Sequence, residues 1–293
     1  MQFAFRNEIE GSMVKSMLGR HGISRRLLTK VKFDGGKIMV NGIEKTAIYH
    51  LEKGDLVTIT VPDEPDNEKL IPDDVPLNVL FEDDHYLVVE KPAGKASITG
   101  SLHPTGAMSN AVKGYISRKN YPNQTVHIIT RLDRDTSGIM FLAKHRYAHA
   151  LMVQHKFRET LEKRYYAIIN DGDLPDSGQI DLPIGRRDDS IIERQVRFDE
   201  KSKNALTSYV VTERKNDLAL LDIILHTGRT HQIRVHFSHL GYPLVGDDLY
   251  GENHDLISRQ ALHCHHLQFL NPFTDEMVHV ELDMPDDMKN LLK

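Results

Sequence analysis

Residues 131–135 read Arg-Leu-Asp-Arg-Asp and carry the densest set of charges able to do chemistry. Thr136-Ser137-Gly138 follows them, and apolar runs lie on both sides, Ile128-Ile129 before and 139–143 after. That pattern predicts a strand, a polar turn and a second strand over 128–145. A plain connector needs only Asn, Ser or Gly. Here Asp133 stands between Arg131 and Arg134, and a carboxylate beside cations stays ionised because adjacent positive charge favours its charged form. An anionic Asp fixed at a strand end is suited to act as a nucleophile or a base. The same residues also fit an Asx turn with a surface ion pair, and this stretch alone leaves both readings open.

A second concentrated stretch spans 225–251, LHTGRTHQIRVHFSHLGYPLVGDDLYG. Thr227-Gly228 suits a tight turn, and from about Thr230 the spacing predicts a helix ending at Gly241. Ile233, Phe237 and Leu240 share its inward side. His231 and Arg234, three apart, point together on another side. With Arg229 at its start, this helix N-terminus is a good anion site. The histidines at 226, 231, 236, 239, 263, 265 and 266 invite a metal reading, but 231 and 236 are five apart and no HExxH pair occurs, so no metal is expected. In a chain with 17 histidines some cluster by chance. Gly246-Asp247-Asp248 is no phosphate loop, since no Gly-Lys-Ser/Thr follows a strand, and no GxSxG elbow is present. Cys264 is the single cysteine, which excludes an internal disulfide and a thiolate metal cluster.

These residues need a scaffold. A chain of 293 residues allows one large domain and a small one, and 40% hydrophobic with 27% charged content suits a water-soluble fold. No apolar run approaches the roughly 20 residues that span a membrane, and the start lacks the layout of a signal peptide, so a reducing cytoplasm is expected. The net charge of −5 argues against indiscriminate polyanion binding, which leaves local basic patches. Residues 1–61 hold ten basic and six acidic residues, a local net of +4. Residues 62–76 hold six acids, one lysine and four prolines and read as a stiff, acidic linker. Three parts are therefore expected: 1–61, 62–76 and 77–293.

In the first part, 12–20 and 24–32 read as short helices, each opening on a capping serine and separated by Gly22. Strands are expected at 37–41 and 56–61. A basic second helix presents cations to phosphates, and Arg20, Ser24, Arg25, Arg26, Lys30 and Lys37 are the expected contacts. The pattern GISRRLLTKV…GGKIMVNG…LEKGDLVTI resembles the small RNA-binding domain first seen in ribosomal protein S four. In the third part a hairpin over 78–91 stops at Pro92-Ala93-Gly94, and a helix covers 109–121. A long amphipathic helix is expected over 145–162, with Ala148, Leu151, Met152, His155 and Leu161 aligned. A strand follows at 164–170, and two more over 204–225 turn at Lys215-Asn216-Asp217. Strands dominate and helices interrupt them irregularly, which predicts an α+β fold rather than a doubly wound parallel sheet.

TRLDRDTSGIMFLAKH, then KRYYAII, then TGRTHQIRVHFSHLGYPLVGDDLYG, with EDDHYLVVEKPAG ahead of them, resembles the RluA-type family of RNA pseudouridine synthases from about Leu77 onward. The resemblance implies a mixed, largely antiparallel sheet with flanking helices and a central cleft, acting on RNA; nothing in the sequence demands a dimer, so a monomer is expected. Large-subunit ribosomal RNA is the leading expectation and transfer RNA an alternative. It implies that Asp133 attacks the uridine or its ribose, that Tyr165 stacks on the base and is a candidate for removing the carbon-five proton, and that Arg234 pairs with the aspartate. Arg131 would enter the stack vacated by the target nucleotide. Lys91, Arg134, Arg229, Thr230, His231 and Gln232 are expected as further RNA contacts, and no cofactor is implied. The family usually has His-Arg-Leu-Asp where this chain has Thr130 before Arg131, and the segment AGKASITG after Pro92 also departs from its usual form. Two other readings were weighed. A glycosidase pair of Asp133 and Asp135 is disfavoured because carboxylates two apart in a turn do not flank a bond. A non-catalytic RNA-binding or ribosome-assembly factor has no need of Asp133, Tyr165 and Arg234 together.

Overall fold

The computed structural model describes residues 1–100, 104–251 and 253–293. The first 61 residues build β1 (Gln2–Arg6), α1 (Val14–Arg20), α2 (Arg25–Phe33), β2 (Lys37–Val40), β3 (Ile43–Glu44) and β4 (Leu56–Thr60). These strands form a sheet in the order β1-β4-β2-β3. Its apolar face meets the inward sides of the helices through Val14, Leu18, Leu27, Val31, Ile38, Val57 and Ile59. Ser24 caps α2, its hydroxyl accepting from the Leu27 amide at 3.1 Å. Ser12 does not cap α1, which starts later at Val14. Its hydroxyl instead accepts from Arg20 at 3.0 Å.

The rest of the chain runs through β5 (Val79–Glu82), β6 (Tyr86–Lys91), α3 (Met108–Arg118), β7 (His127–Ile128), β8 (Ser137–Ala143), α4 (Arg146–Met152), α5 (His155–Arg158) and β9 (Glu162–Asn170). It continues through β10 (Ser177–Asp181), β11 (Ile184–Arg186), β12 (Arg194–Val196), β13 (Leu206–Lys215), β14 (Leu218–Leu225), α6 (Gln232–His239), β15 (Leu262–Leu270), β16 (Met277–Glu281) and α7 (Asp286–Leu291). A ten-stranded sheet in the order β10-β13-β14-β9-β15-β8-β6-β5, with β16 on β15 and β7 on β8, is antiparallel at every pairing but β15 with β8. The architecture is the expected mixed, largely antiparallel α+β fold. The turn between β13 and β14 uses Asn216 and Asp217, both at positive φ, as a two-residue hairpin requires.

The parallel contact of β15 with β8 brings distant parts of the chain together. Gly138 lies at φ +123° with the Cys264 backbone against its α-carbon, where any Cβ would collide. Glycine at that position lets the strand after the charged turn lie beside β15, which on its other edge pairs with β9. The charged turn and Tyr165 of β9 thereby come to one end of the sheet.

Two sequence expectations need correction. The helix expected over 145–162 is α4 and α5 with a break at Val153-Gln154, and β9 begins at Glu162. Part of α4 belongs to a different interface: Tyr147 donates to the His21 carbonyl at 2.6 Å, Gln154 donates to Gly22 at 3.1 Å, and Leu151 packs on the N-terminal core. The acidic segment 62–76, expected as a stiff linker, is also fastened to the catalytic part. Glu64 is buried, taking hydrogen bonds from the Arg146 amide at 2.8 Å and from His127 at 2.9 Å, while Asp66 pairs with Lys113. Burial opposes ionisation of Glu64, but His127 and Arg146 outweigh it and hold the carboxyl down at about 2. Glu64 and Asp66, two of its six acids, are thus groups that fasten it. Among the described residues no helix is long and apolar enough to cross a membrane.

Candidate active site

The turn between β7 and β8 is fixed before it is functional. Its entry follows β8 closely: the Ile129 and Thr130 amides donate to the Phe141 carbonyl, and the Phe141 amide donates back to the Thr130 hydroxyl at 3.0 Å. Thr130, where the family usually has histidine, thus serves the hairpin backbone. Ser97, from the segment after Pro92 that departs from the usual form, clasps Leu132, two residues on. Its hydroxyl donates to the Leu132 carbonyl at 2.6 Å and accepts from the Leu132 amide at 3.0 Å. Beneath the turn lie two buried cations. The Lys91 ammonium donates to the carbonyls of Arg134 and Pro92 at 2.7 and 2.8 Å. Arg259, paired with Asp287 at 2.7 Å, reaches the Asp135 carbonyl at 3.4 Å.

Held in this way, Asp133 projects into a cleft of about 1020 Å³ between the turn, β9 and the start of α6. Its side chain is 25% exposed, and Arg234 Nη1 approaches Oδ2 at 3.4 Å. The other two guanidinium nitrogens of Arg234 are already taken: Nε and Nη2 each donate to Asp247 at 2.7 Å. Asp247 is wholly buried. Burial works against a charged guanidinium, yet the hydrogen bonds and charge of Asp247, with Asp133 behind them, outweigh it and raise the Arg234 pKa. The arginine is therefore a fixed cation with one nitrogen free for the cleft. Tyr250 covers its face, the ring centroid 5.0 Å from Cζ.

Asp247 and Tyr250 come from the turn after α6, whose entry at Gly246 has φ +75° and no room for a Cβ against the Arg259 carbonyl. His231, the residue that opens α6, points its Nε2 toward Asp133 Oδ1 at 3.9 Å. The spacing argument placed His231 and Arg234 on one side, and both address Asp133.

Tyr165 is buried in the cleft floor beside Cys264, and burial, then the nearby thiol and Asp133, push its phenol far above the ordinary range. Arg131 and Thr230 are exposed on the cleft wall, and Arg229 lines it while its Nε donates to the Asn204 carbonyl at 2.9 Å. Arg134 is exposed, its guanidinium paired with Asp135 at 2.9 Å, which removes Asp135 as a second catalytic carboxylate.

Two expected RNA contacts are not placed to touch a ligand. Lys91 ends a central strand and points under the turn, with no exposed surface, and burial pulls its ammonium down to about 7 against the opposing pull of Asp135 and Asp133. Gln232 is buried, and its amide is spent on Leu206, Thr207, Thr227 and the Arg229 backbone. The N-terminal cations lie on the other module. Arg25, Arg26 and Lys37 are exposed, Arg20 is shared with Ser12, Lys30 lies near Asp34 at 3.4 Å, and Ser24 is spent on its cap. The reading of the sequence missed Asp247, Tyr250 and Ser97. A signal existed for Asp247: an arginine directed inward from a helix requires a buried counter-charge. Among the described residues no group of three or more His, Cys, Asp or Glu is placed to hold a metal ion.

The sequence pattern that defines the RNA pseudouridylate synthase family matches residues 85–239, which contain Asp133, Tyr165 and Arg234. The chain belongs to that family. The RNA pseudouridine synthase YjbO of Bacillus subtilis (strain 168) is 44% identical to this synthase over 280 residues, covering 96% of this chain and 98% of the relative. The ribosomal large subunit pseudouridine synthase D of Xanthomonas campestris pv. campestris is 37% identical over 239 residues, covering 75% of this chain and 70% of the relative. The solved structure of human RNA Pseudouridylate Synthase Domain Containing 1 aligns with a TM-score of 0.58 at 24% identity. It covers 71% of this chain and 83% of the human one, a likeness in fold. The RluA-type resemblance implied this family, and the synthase isomerises uridine in RNA.

Proposed function

We propose that this synthase converts specific uridines of large-subunit ribosomal RNA to pseudouridine, with Asp133 as the attacking carboxylate. One observation carries the reading: Asp133 is open to the cleft, and the guanidinium facing it is fixed by a second, buried carboxylate. In the proposed reaction the target nucleotide is flipped out of its stack, at a cost on the order of a few kcal/mol, and the Arg131 side chain fills the gap. The Asp133 carboxylate attacks the uridine or its ribose and the glycosidic bond breaks. The freed uracil turns over the Tyr165 ring and rejoins the sugar through carbon five, and the bond to Asp133 breaks to release its carboxylate. Nitrogen one gains a proton and carbon five loses one, so atoms balance with no redox partner. The position of Tyr165 suits it as a neutral stacking surface, since burial keeps its phenol protonated. Removal of the carbon-five proton by Tyr165 would require a phenolate that this environment disfavours.

The ribosomal target is supported by the likeness to the Xanthomonas large-subunit enzyme and by the basic module at the N-terminus. We read that module as a phosphate grip resembling the domain of ribosomal protein S four, with Arg25, Arg26 and Lys37 as its open cations. It lies against α4, whose Met152 lines the cleft, so RNA held there lies alongside the catalytic part. A monomer working in the cytoplasm is part of the same proposal. Pseudouridine maps of total RNA from cells with and without this gene test the proposal. A large-subunit ribosomal position that loses its modification is the expected result. A lost transfer-RNA position would overturn the target, and an unchanged map would leave RNA binding without catalysis.

A further inference from the structure

The reading of Asp133 assigns Arg234 to Oδ2 and leaves Oδ1 facing His231. The geometry around that imidazole favours a proton on one of its nitrogens over the other. His231 Nδ1 lies 2.8 Å from the Tyr250 hydroxyl, and the same hydroxyl accepts the Arg194 backbone N–H at 3.0 Å. The phenol proton then has one acceptor among these partners, His231 Nδ1. A ring nitrogen that accepts at Nδ1 carries its hydrogen at Nε2, the atom 3.9 Å from Asp133 Oδ1.

The backbone points the same way. His231 sits at φ +58° and ψ +22°, a left-handed conformation that glycine adopts freely and that histidine, with asparagine and aspartate, adopts more readily than other side chains. That backbone directs Nδ1 at the Tyr250 hydroxyl and Nε2 toward Asp133. The charged groups around it are Asp133 and Asp247, which favour its protonation, and Arg234 and Arg194, which oppose it. Burial, with the two arginines acting the same way, outweighs the two carboxylates and lowers the pKa, which favours the neutral ring.

We infer that His231 is a positioning residue which donates from Nε2 to Asp133 Oδ1 once RNA closes the cleft, and that Tyr250 holds it in that tautomer. Asp133 then has one donor on each oxygen, Arg234 on Oδ2 and His231 on Oδ1, which aims the carboxylate. This rests on the proposed role of Asp133 but is read separately from it. Hydrogen bonds in catalytic sites commonly tighten from such distances when substrate binds.

Three substitutions and one spectrum test it, with ribosomal RNA purified from cells lacking the gene as the probe. His231→Asn suits the left-handed backbone and offers its polar atoms where Nδ1 lies, so it meets Tyr250 and not Asp133. It should fold as stably as the parent and lose at least tenfold in kcat with KM for RNA unchanged. His231→Gln places an amide N–H where Nε2 lies and should recover most of that loss despite the strained backbone. Tyr250→Phe keeps the ring over Arg234 and should lower kcat several-fold without a change in melting temperature. In the nitrogen-15 spectrum of the RNA-free protein, assigned by difference with His231→Gln, the His231 Nδ1 should be unprotonated and Nε2 protonated. A protonated Nδ1, a fully active His231→Asn, or a His231→Gln as slow as His231→Asn would each overturn the inference. So would a rise in KM at constant kcat, which would make His231 an RNA contact. The spectrum does not depend on turnover, so failure of Asp133 as nucleophile, read in an Asp133 variant, is distinguishable from failure here.

Discussion

Asp247 occupies two of the three nitrogens of Arg234, and the cleft sees only the third. A lone arginine in a cavity of this size would swing among phosphates and carboxylates. Clamped at 2.7 Å on two nitrogens by a carboxylate with no exposure, it has one orientation, and Asp133 lies in its path at 3.4 Å.

Asp247→Asn should therefore damage both folding and catalysis. It leaves a guanidinium buried beside a neutral amide, and breaking a buried ion pair from one side costs about 3 kcal/mol or more. Denaturant unfolding should show that loss, and single-turnover rates should fall on the order of 100-fold because Arg234 loses its aim. Replacing both partners, Arg234→Met with Asp247→Leu, should restore much of the stability and none of the activity.

Arg234→Lys retains a charge but cannot form the fork with Asp247 and reach Asp133 as well. We expect kcat to fall on the order of 100-fold while the dissociation constant for ribosomal RNA changes less than threefold. Arg234→Ala should behave likewise, with added instability from the orphaned Asp247. An RNA affinity that collapses in step with rate would make Arg234 a phosphate contact instead.

His145 ties stability to pH. Its Nδ1 accepts the Ala148 amide at 3.2 Å at the start of α4, and its Nε2 faces His85 at 3.0 Å. Burial, with His85 beside it, lowers its pKa to about 3 from the usual 6.5. Between those values the unfolded chain binds a proton that the folded one refuses, so stability is complete above pH 6.5 and is lost as pH falls toward 3, at about 1.4 kcal/mol per unit. Glu64 acts lower, its contribution present above the ordinary carboxylate value and lost as pH falls toward about 2. His145→Asn keeps a capping acceptor and removes the titration. Between pH 6.5 and 5 its unfolding free energy should fall by about 2 kcal/mol less than the parent's.

Much of this was legible in the sequence, and the failures have physical causes. Periodicity marked the hairpins, the strands over 204–225 and the helix carrying Arg234, because each has one buried face with a regular repeat. The charged turn was legible because two arginines flanking an aspartate are excessive for a connector. Asp247 was passed over because its role depends on a loop folding back thirteen residues to meet Arg234, and no repeat encodes that. Lys91 and Gln232 were expected as RNA contacts under the resemblance, while their positions, at the end of a central strand and on the inner side of a helix start, direct them inward. The break between α4 and α5 escaped because Leu151 and Met152 continue a helical stripe while packing against different cores.

Charge reversal on the N-terminal helix separates grip from chemistry. Arg25→Glu with Arg26→Glu should weaken RNA binding and flatten its dependence on salt by a slope of about 2. The rate at saturating RNA should be unchanged, since neither side chain lines the cleft. A rate that falls at saturation would mean the module also shapes the site.

The most direct test is single-turnover formation of pseudouridine by Asp133→Asn, with excess protein over ribosomal RNA from cells lacking the gene. The amide fills the same space and leaves Arg234 clamped by Asp247, so folding and RNA binding should match the parent while no pseudouridine forms. A few per cent of the parent rate in that variant would contradict Asp133 as the attacking group.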